Sequence, residues 1–448
     1  MNARILKTGS AGFRRFMAMM LARRDGGDAS GVDAAVAAII HDVRRRGDTA
    51  LIAYTRKFDG VKLGKRSLRV TAAELKGATS SIPAMDRRAL ELAAKRIAEF
   101  HRRTLEASFT YKDRYGMRLG QMVRPLRRVG IYVPGGLGAY PSSVLMNAIP
   151  ARVAGVREIV MVSPPAREGD RPGVLAAAAI AGVGEVYRAG GAHAIAALAF
   201  GTATILPVDK IVGPGNAYVQ AAKRMVYGVT DIDKMAGPSE VLVIAEGRAD
   251  PVWIAADLIA QAEHGSGDES AILLTPSRKL AERVVAAINR ALEDLPRALE
   301  VRRALARRGA AVVVRGLAEA FELANRIAPE HLELDLNDAA HWLGSVKAAG
   351  AVFLGPRSPA ALGDYLAGPN HVLPTGGAAR FASPLGAYDF LKRTSIIEAS
   401  PSALRRLGPA VARLARMEGF EGHARAIELR MARGRAVRTV MVENGRSQ

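Results

Sequence analysis

Gln261 and His264 stand three residues apart inside residues 253–264, where apolar side chains recur at helical spacing, so both leave one face. That spacing suits two ligands of one metal, and equally a capped, hydrogen-bonded helix end. Glu330-His331 follows Ala328-Pro329 and precedes Leu332-Glu-Leu334. A carboxylate and an imidazole at a strand or loop entrance can work as an acid/base pair, or stand as an N-cap acid beside a surface histidine. Asp364 lies in Leu362-Gly-Asp-Tyr-Leu-Ala-Gly-Pro-Asn-His371, a glycine-punctuated loop that can bend polar groups toward a ligand. Of eight histidines, His41, His101 and His341 fall in helical surface patterns and read as structural. His264, His331, His371 and His423 fall at or beside element ends, where sites are built.

Gly135-Gly136 after Val133 and Gly213-Pro-Gly-Asn216 after Val212 are glycine turns between a strand and a helix. Such turns let phosphates approach backbone amides at a helix N-terminus. Neither is a G-x-G-x-x-G fingerprint, and no acid stands reliably about 20 residues on to hold a ribose, so a dinucleotide remains one option among several.

The elements that position these residues are legible in the periodicity. Residues 13–21, 33–46 and 83–105 carry helical patterns, which makes the N-terminal third mainly helical. From Arg128 the texture changes to short β-branched runs: Val129-Gly-Ile-Tyr-Val133, Glu158-Ile-Val-Met-Val162, Glu185-Val-Tyr187 and Lys210-Ile-Val212. A second set comprises Val241-Leu-Val-Ile244, Ala271-Ile-Leu-Leu274, Ala311-Val-Val-Val314 and Ala351-Val-Phe-Leu354. Alternation of such runs with alanine-rich helical patterns predicts parallel sheets, here two α/β modules divided near Gly237-Pro238. Past Pro384 the strand pattern stops and residues 402–433 read as a charged helical stretch, while residues 163–173 read as a mobile loop.

Composition limits the function classes. The chain has 448 residues, 49% hydrophobic and 24% charged, which is ordinary globular material for two or more domains. No run approaches the roughly 20 apolar residues of a membrane span, so a soluble protein is expected. Zero cysteines exclude disulfides and thiolate metal sites and fit a reducing, cytoplasmic setting. The first 24 residues carry Arg4, Lys7, Arg14, Arg15, Arg23 and Arg24 without an acid, a composition that suits either a transit peptide or a short packed helix. The net charge of +21 is spread over helical patterns, with clusters at Arg44-Arg45-Arg46 and at Arg302, Arg303, Arg307 and Arg308 that lack interleaved aromatics. That distribution argues against nucleic acid and for solvated faces with a field favourable to an anionic cofactor.

Taken in order, Arg46-Gly-Asp-Thr-Ala-Leu51, Lys57-Phe-Asp59, Gly130-Ile-Tyr-Val-Pro-Gly-Gly136, Tyr140-Pro-Ser-Ser-Val-Leu-Met-Asn147 and Val212-Gly-Pro-Gly-Asn216 resemble the histidinol dehydrogenase family. Ala236-Gly-Pro-Ser-Glu240, Gln261-Ala-Glu-His264, Ala328-Pro-Glu-His331 and Gly368-Pro-Asn-His371 extend the resemblance over nearly the whole chain. The resemblance implies an α/β fold of two Rossmann-like parallel-sheet domains with a small helical N-terminal segment and a helical C-terminal extension that mediates dimerisation. The corresponding spans are 1–28 for the N-terminal segment, 29–131 plus 239–385 for the metal-binding and catalytic domain, 132–238 for the NAD-binding domain and 386–448 for the dimerisation segment. It further implies a cytoplasmic homodimer with one zinc per subunit, held by Gln261, His264 and Asp364 of one subunit and His423 of the other. Glu330 and His331 are implied as the acid/base residues. Ser239 and Glu418, with His331 and the four metal ligands, are implied as substrate contacts, and Tyr132 and Asn216 as NAD contacts. His193, in Ala189-Gly-Gly-Ala-His-Ala-Ile195, replaces the family's usual glutamine at a third NAD contact; a histidine can still donate to a ribose or amide.

The family oxidises L-histidinol to L-histidine through histidinal in two successive NAD-dependent hydride transfers, the last steps of histidine biosynthesis. With no cysteine to capture the aldehyde, water must add, and Glu330 is the candidate base while His331 takes the alcohol proton. The metal would orient the substrate's imidazole and amine, and an all nitrogen and oxygen donor set also admits manganese or cobalt. Relatives of this framework oxidise other alcohols, including sulfonated propanediols, and these can share a segment like Met417-Glu-Gly-Phe-Glu-Gly-His423; Tyr140-Pro-Ser-Ser143 and Leu391-Lys-Arg-Thr-Ser395 favour the histidinol branch. A basic binding protein that keeps the fold without activity is the reading from a different class, and the presence of every candidate ligand and base argues against it.

Overall fold

The first described residues do not form a helix. Arg4-Ile-Leu-Lys7 makes a strand, β1 (Arg4–Lys7), and only then does Ser10 Oγ accept from Phe13 N at 3.1 Å to start α1 (Ala11–Ala22). The computed structural model describes residues 4–23, 30–135, 139–167, 169–235 and 237–432; Arg24, Gly136, Ala236 and Arg433 lie outside them. Helices α2 (Ser30–Arg46), α3 (Asp48–Asp59), α4 (Lys65–Leu68), α5 (Ala72–Ala78) and α6 (Ala84–Arg102) follow. Strands β2 (Phe109–Lys112) and β3 (Met117–Pro125) precede the first alternating run. That run is β4 (Arg128–Tyr132), α7 (Pro141–Ala154), β5 (Glu158–Ser163), α8 (Pro172–Ala181), β6 (Glu185–Arg188), α9 (Gly191–Phe200), β7 (Lys210–Val212), α10 (Ala217–Val226) and β8 (Asp231–Ile232). The second run is β9 (Glu240–Ala245), α11 (Pro251–Ala262), β10 (Ser270–Thr275), α12 (Arg278–Ala291), α13 (Ala298–Arg308), β11 (Gly309–Val313), α14 (Leu317–Ile327), β12 (His331–Asp335), β13 (Ala351–Leu354) and α15 (Ala360–Tyr365). The chain ends with β14 (Leu391–Ala399), α16 (Pro401–Met417) and α17 (Glu421–Ala432).

Two compact units result. The first, Met1–Leu105 with Leu126–Phe390, contains both parallel sheets. One has five strands in the order β6-β5-β4-β7-β8, the other six in the order β1-β11-β10-β9-β12-β13. Their central strands are covered on both faces, which is why they read as unbroken apolar runs: all of β9 and β10 is buried. Val241, Val243 and Leu273 pack under α11, α12 and α13, while Leu242, Ile244 and Leu332 pack under α1 and α14 on the opposite face. Each such side chain contributes roughly 1.5–3 kcal/mol on burial. On the smaller sheet, Val160, Val162 and Ile211 meet a layer built from α2, α3, α9 and α10.

Two expectations are corrected here. Within the N-terminal segment read as helical, β1 pairs in parallel with β11 as an edge strand, Ile5 opposite Ala311. Its four residues are too few to show a period. Likewise the strand pattern does not stop past Pro384, because β14 is nine residues long. It pairs antiparallel with β3, Ser395 opposite Gln121, and β3 pairs with β2. These strands, with α16 and α17, make the second unit, Glu106–Pro125 with Leu391–Gln448; residues 106–125 therefore leave the first α/β domain to which the sequence reading assigned them. Lys392, Arg393, Thr394 and Ser395 are exposed in succession, so β14 has no apolar face to reveal it. Inside this unit Arg416 ties α16 to α17 through Glu421 at 2.8 Å and Glu428 at 2.7 Å. Among the described residues, no helix is long and apolar enough to cross a membrane.

Candidate active site

Glu330 and His331 sit where the chain enters β12, which lies between β9 and the edge strand β13 of the six-stranded sheet, and neighbouring β9 holds both. The Glu240 amide donates to Glu330 Oε2 at 2.9 Å, and His331 Nδ1 lies 2.9 Å from the Glu240 carbonyl oxygen. A carbonyl only accepts, so the proton is on Nδ1 and the lone pair is on Nε2. That Nε2 is buried, lacks a hydrogen-bond partner and lies 3.6 Å from Asp364 Oδ1. Glu240 is itself anchored, since its buried Oε1 takes Arg23 and the Gly376 amide.

Burial pushes the Glu330 carboxyl up to about 8, the positive charge on His331 working against it. Burial would lower His331, yet the carboxylates of Glu330 and Asp364 carry it up to about 9. Burial also acts to raise Asp364, and the adjacent His331 more than offsets that, leaving the carboxyl below its ordinary value. Glu330 and His331 are thus groups whose proton affinities have moved into the range where acid/base chemistry operates.

Asp364 is placed by α15, whose first turn is held by Glu333, two residues beyond His331 on β12. Glu333 Oε1 accepts from Ala360 N at 2.6 Å, and burial together with the Asp257 charge pushes that carboxyl up to about 8. His371 closes the other side: its Nδ1 donates to the Asp364 carbonyl at 2.9 Å, and its Nε2 lies 3.4 Å from Ser143 Oγ on α7. Ser143 and Glu240 were missed as site residues, and His371 was noted only for its place near an element end. Glu240 acts through its main chain, which leaves no mark in residue type.

Gln261 lies in the last turn of α11 and is buried, whereas His264 lies in the turn just beyond, because the helix ends at Ala262, two residues short of the predicted stretch. His264 Nδ1 donates to the Gln261 carbonyl at 3.0 Å, so its lone pair is again on Nε2. A ring fixed by a backbone carbonyl in this way is the usual support of a metal-ligating histidine. Among the described residues no group of three His, Cys, Asp or Glu side chains is set to hold a metal ion. The donor set fits zinc only if the Gln261 amide oxygen joins His264 and Asp364 and a further donor completes it. Ser239 lies directly before β9, its carbonyl accepting from Ser270 N at 3.1 Å. Glu418 and His423 belong to the second unit, both exposed, the His423 ring 5.2 Å from that of Phe420.

The nucleotide candidates gather at the carboxyl edge of the five-stranded sheet. Tyr132 ends β4, its hydroxyl accepting from Gly191 N at 3.1 Å, and burial raises it to about 12. Asn216 caps α10 by accepting from Val219 N at 3.1 Å, which leaves its amide N–H groups for a ligand. Between them Gly213 has φ +114°, and a Cβ there would collide with the Tyr132 carbonyl, so only glycine lets β4 and the β7 turn approach this closely. Lys223, fully buried, fastens that turn by donating to the Gly213 carbonyl at 2.9 Å while paired with Asp233. His193 lies in the first turn of α9. It is 1% exposed, its Nε2 3.3 Å from Thr55 Oγ1 and its ring beside Tyr54 and Phe58, so it packs α9 against α3 and presents no donor at the surface. Burial holds it neutral, down at about 3. His101 is likewise buried, not on the surface pattern assigned to it.

Comparison with known proteins shows the family. The family model described as histidinol dehydrogenase matches residues 22–431. The histidinol dehydrogenase of Nitrosomonas europaea is 52% identical over 402 residues, covering 90% of this chain and 93% of the relative. That of Moorella thermoacetica is 53% identical over 418 residues, covering 93% and 97%. The crystal structure of histidinol dehydrogenase from Elizabethkingia anophelis superposes with a TM-score of 0.91 at 33% identity, covering 97% of this chain and 99% of that one. On this match of sequence and fold together, the chain belongs to the histidinol dehydrogenase family.

Proposed function

We propose that the chain oxidises L-histidinol to L-histidine by way of histidinal, reducing two NAD in turn, as a cytoplasmic homodimer of histidine biosynthesis. The observation that carries the chemistry is the clamp of Glu240 on both Glu330 and His331, which holds the buried His331 Nε2, free of any hydrogen-bond partner among the described residues, close to the Glu330 carboxyl. In the first oxidation His331 Nε2 takes the alcohol proton as hydride leaves the same carbon for the nicotinamide. In the second, the Glu330 carboxylate takes a proton from water as the water oxygen bonds to the aldehyde carbon and protonated His331 returns its proton to the aldehyde oxygen; the hydrate then gives a hydroxyl proton to His331 and hydride to a second NAD, which leaves the carboxylic acid.

Gln261, His264 and Asp364, with His423 from a second copy, would hold zinc. Zinc supplies a coordination template for the substrate's imidazole and amine. Committing Asp364 to a cation removes one of the charges that raise His331, which brings the ring toward the neutral form a base requires. Ser239 and Glu418 contact the substrate, and Tyr132, Asn216 and His193 the NAD; His193 also packs α9 against α3. Exposed Val411, Leu414, Met417 and Phe420 on the second unit support an apolar interface with another copy. The test is NADH formation from L-histidinol beside dihydroxypropanesulfonate with zinc-loaded protein. Turnover of the sulfonate alone would overturn the substrate assignment.

A further inference from the structure

A cavity of about 290 Å³ opens beyond the carboxyl ends of β4, β5 and β6, lined by Asp59, Pro134, Gly135, Ser163, Pro164 and Arg167 among others. In open parallel sheets ligands settle outside the carboxyl ends of the strands, on either side of the point where strand order reverses. Here the order β6-β5-β4-β7-β8 places that point between β4 and β7. In a nucleotide fold of this kind, an acid past the second strand ordinarily holds a ribose. Here β5 ends at Ser163 and the chain runs on through Pro164-Pro165, with no acid before Glu168.

The missing carboxylate comes from elsewhere. Asp59 is the last residue of α3 and lines the cavity, and its Oδ2 is buried with no hydrogen-bond partner among the described residues. The other acid in the lining, Asp170, is already committed to Arg188, which Glu74 also binds. Burial pushes Asp59 up to about 6, as befits a carboxyl that lacks donors. Beside it Gly60 takes a left-handed φ of +72°, and a Cβ there would come within 2.8 Å of the Arg167 guanidinium, so glycine lets Arg167 close over the end of α3.

The direction of a bound dinucleotide follows from which edge adjoins the catalytic residues. Lys234, just past β8, donates to the Val372 carbonyl at 3.3 Å, and Gly237 to Thr375, so the segment after His371 lies on the β8 side. Asp59 lines the opposite, β6 side of the reversal point. We propose that Asp59 accepts hydrogen bonds from the vicinal hydroxyls of the adenosine ribose of NAD, and that its negative charge there disfavours a 2′-phosphate. This rests on the NAD-dependent reading above.

Binding of ADP-ribose, nicotinamide mononucleotide, NAD and NADP to the zinc-loaded full chain and to Asp59→Asn tests it. The variant should bind ADP-ribose and NAD roughly ten- to a hundredfold more weakly, the range set by hydrogen bonds to a charged group. It should bind the mononucleotide unchanged and prefer NAD over NADP by a smaller ratio. A folded variant with unaltered ADP-ribose affinity overturns the proposal while leaving the NAD reading intact. A parent protein that binds neither NAD nor ADP-ribose overturns both. Should the variant fail to fold, the parent decides alone: replacing ADP-ribose by its 2′-deoxyadenosine counterpart must cost a similar factor, and equal affinity refutes the assignment.

Discussion

Replacing Glu330 by Gln should raise stability and abolish half of the chemistry. The side chain is 6% exposed and accepts from the Glu240 amide at 2.9 Å, a bond the Gln amide oxygen can keep. Burial holds the carboxyl at about 8 against an ordinary 4.5. The folded chain therefore retains a proton that the unfolded chain has released above 4.5. The sign follows: this group destabilises the fold increasingly as pH rises from 4.5 to 8, and contributes nothing below 4.5. At pH 7 the cost is about 3 kcal/mol, taking roughly 1.4 kcal/mol per pH unit. Gln cannot ionise and escapes that cost, so metal-stripped E330Q should unfold at higher denaturant than the parent, by a margin small at pH 5 and growing to pH 8. The same substitution removes the base for water addition, so oxidation of added histidinal should fall roughly a hundred- to ten-thousandfold, with a smaller loss in alcohol oxidation. Equal stability at all pH values together with undiminished histidinal oxidation would refute the reasoning.

Lys223→Met strips the cation from buried Asp233, and by the usual cost of breaking such a pair should destabilise by about 3–5 kcal/mol in denaturant unfolding. Because Lys223 also fastens the turn that carries Asn216, KM for NAD should rise in parallel, and a loss under about 1 kcal/mol would contradict the assigned role. Burial holds His101 down at about 4 against an ordinary 6.5, so its contribution is whole above 6.5 and is lost as pH falls toward 4, about 3 kcal/mol in all. His101→Leu should accordingly show a flatter stability decline between pH 7 and 4; an unchanged slope rejects the account. Asp364→Asn and His423→Asn proteins, each inactive alone, should regain about a quarter of full activity when mixed and re-equilibrated, since half the dimers are hybrids with one whole site. No recovery would mean that both residues serve the same chain.

The parallel sheets were legible because strands such as β9 and β10, covered on both faces, read as continuous apolar runs between helical periods. β14 and its partners were not, since four successive exposed polar residues on β14 carry no alternation. β1 gives four residues, too few for any period. Within the site, Gln261, His264, Glu330, His331 and Asp364 stood out as candidates by residue type, while their roles came only from the family resemblance. The Glu240 clamp was not, because a backbone amide and carbonyl are common to every residue. Nor was Asp59, whose cavity forms only when α3 reaches the far sheet edge. The inward turn of His193 depends on Thr55 and two aromatic neighbours more than a hundred residues away, which local spacing does not encode.

The most direct test of the whole account is the stoichiometry of NAD reduction by the zinc-loaded protein with limiting L-histidinol. Two NADH formed for each histidinol consumed, with L-histidine as product, is the predicted result. One NADH with histidinal left in solution would contradict the role of Glu330, and no reduction at all would contradict the function.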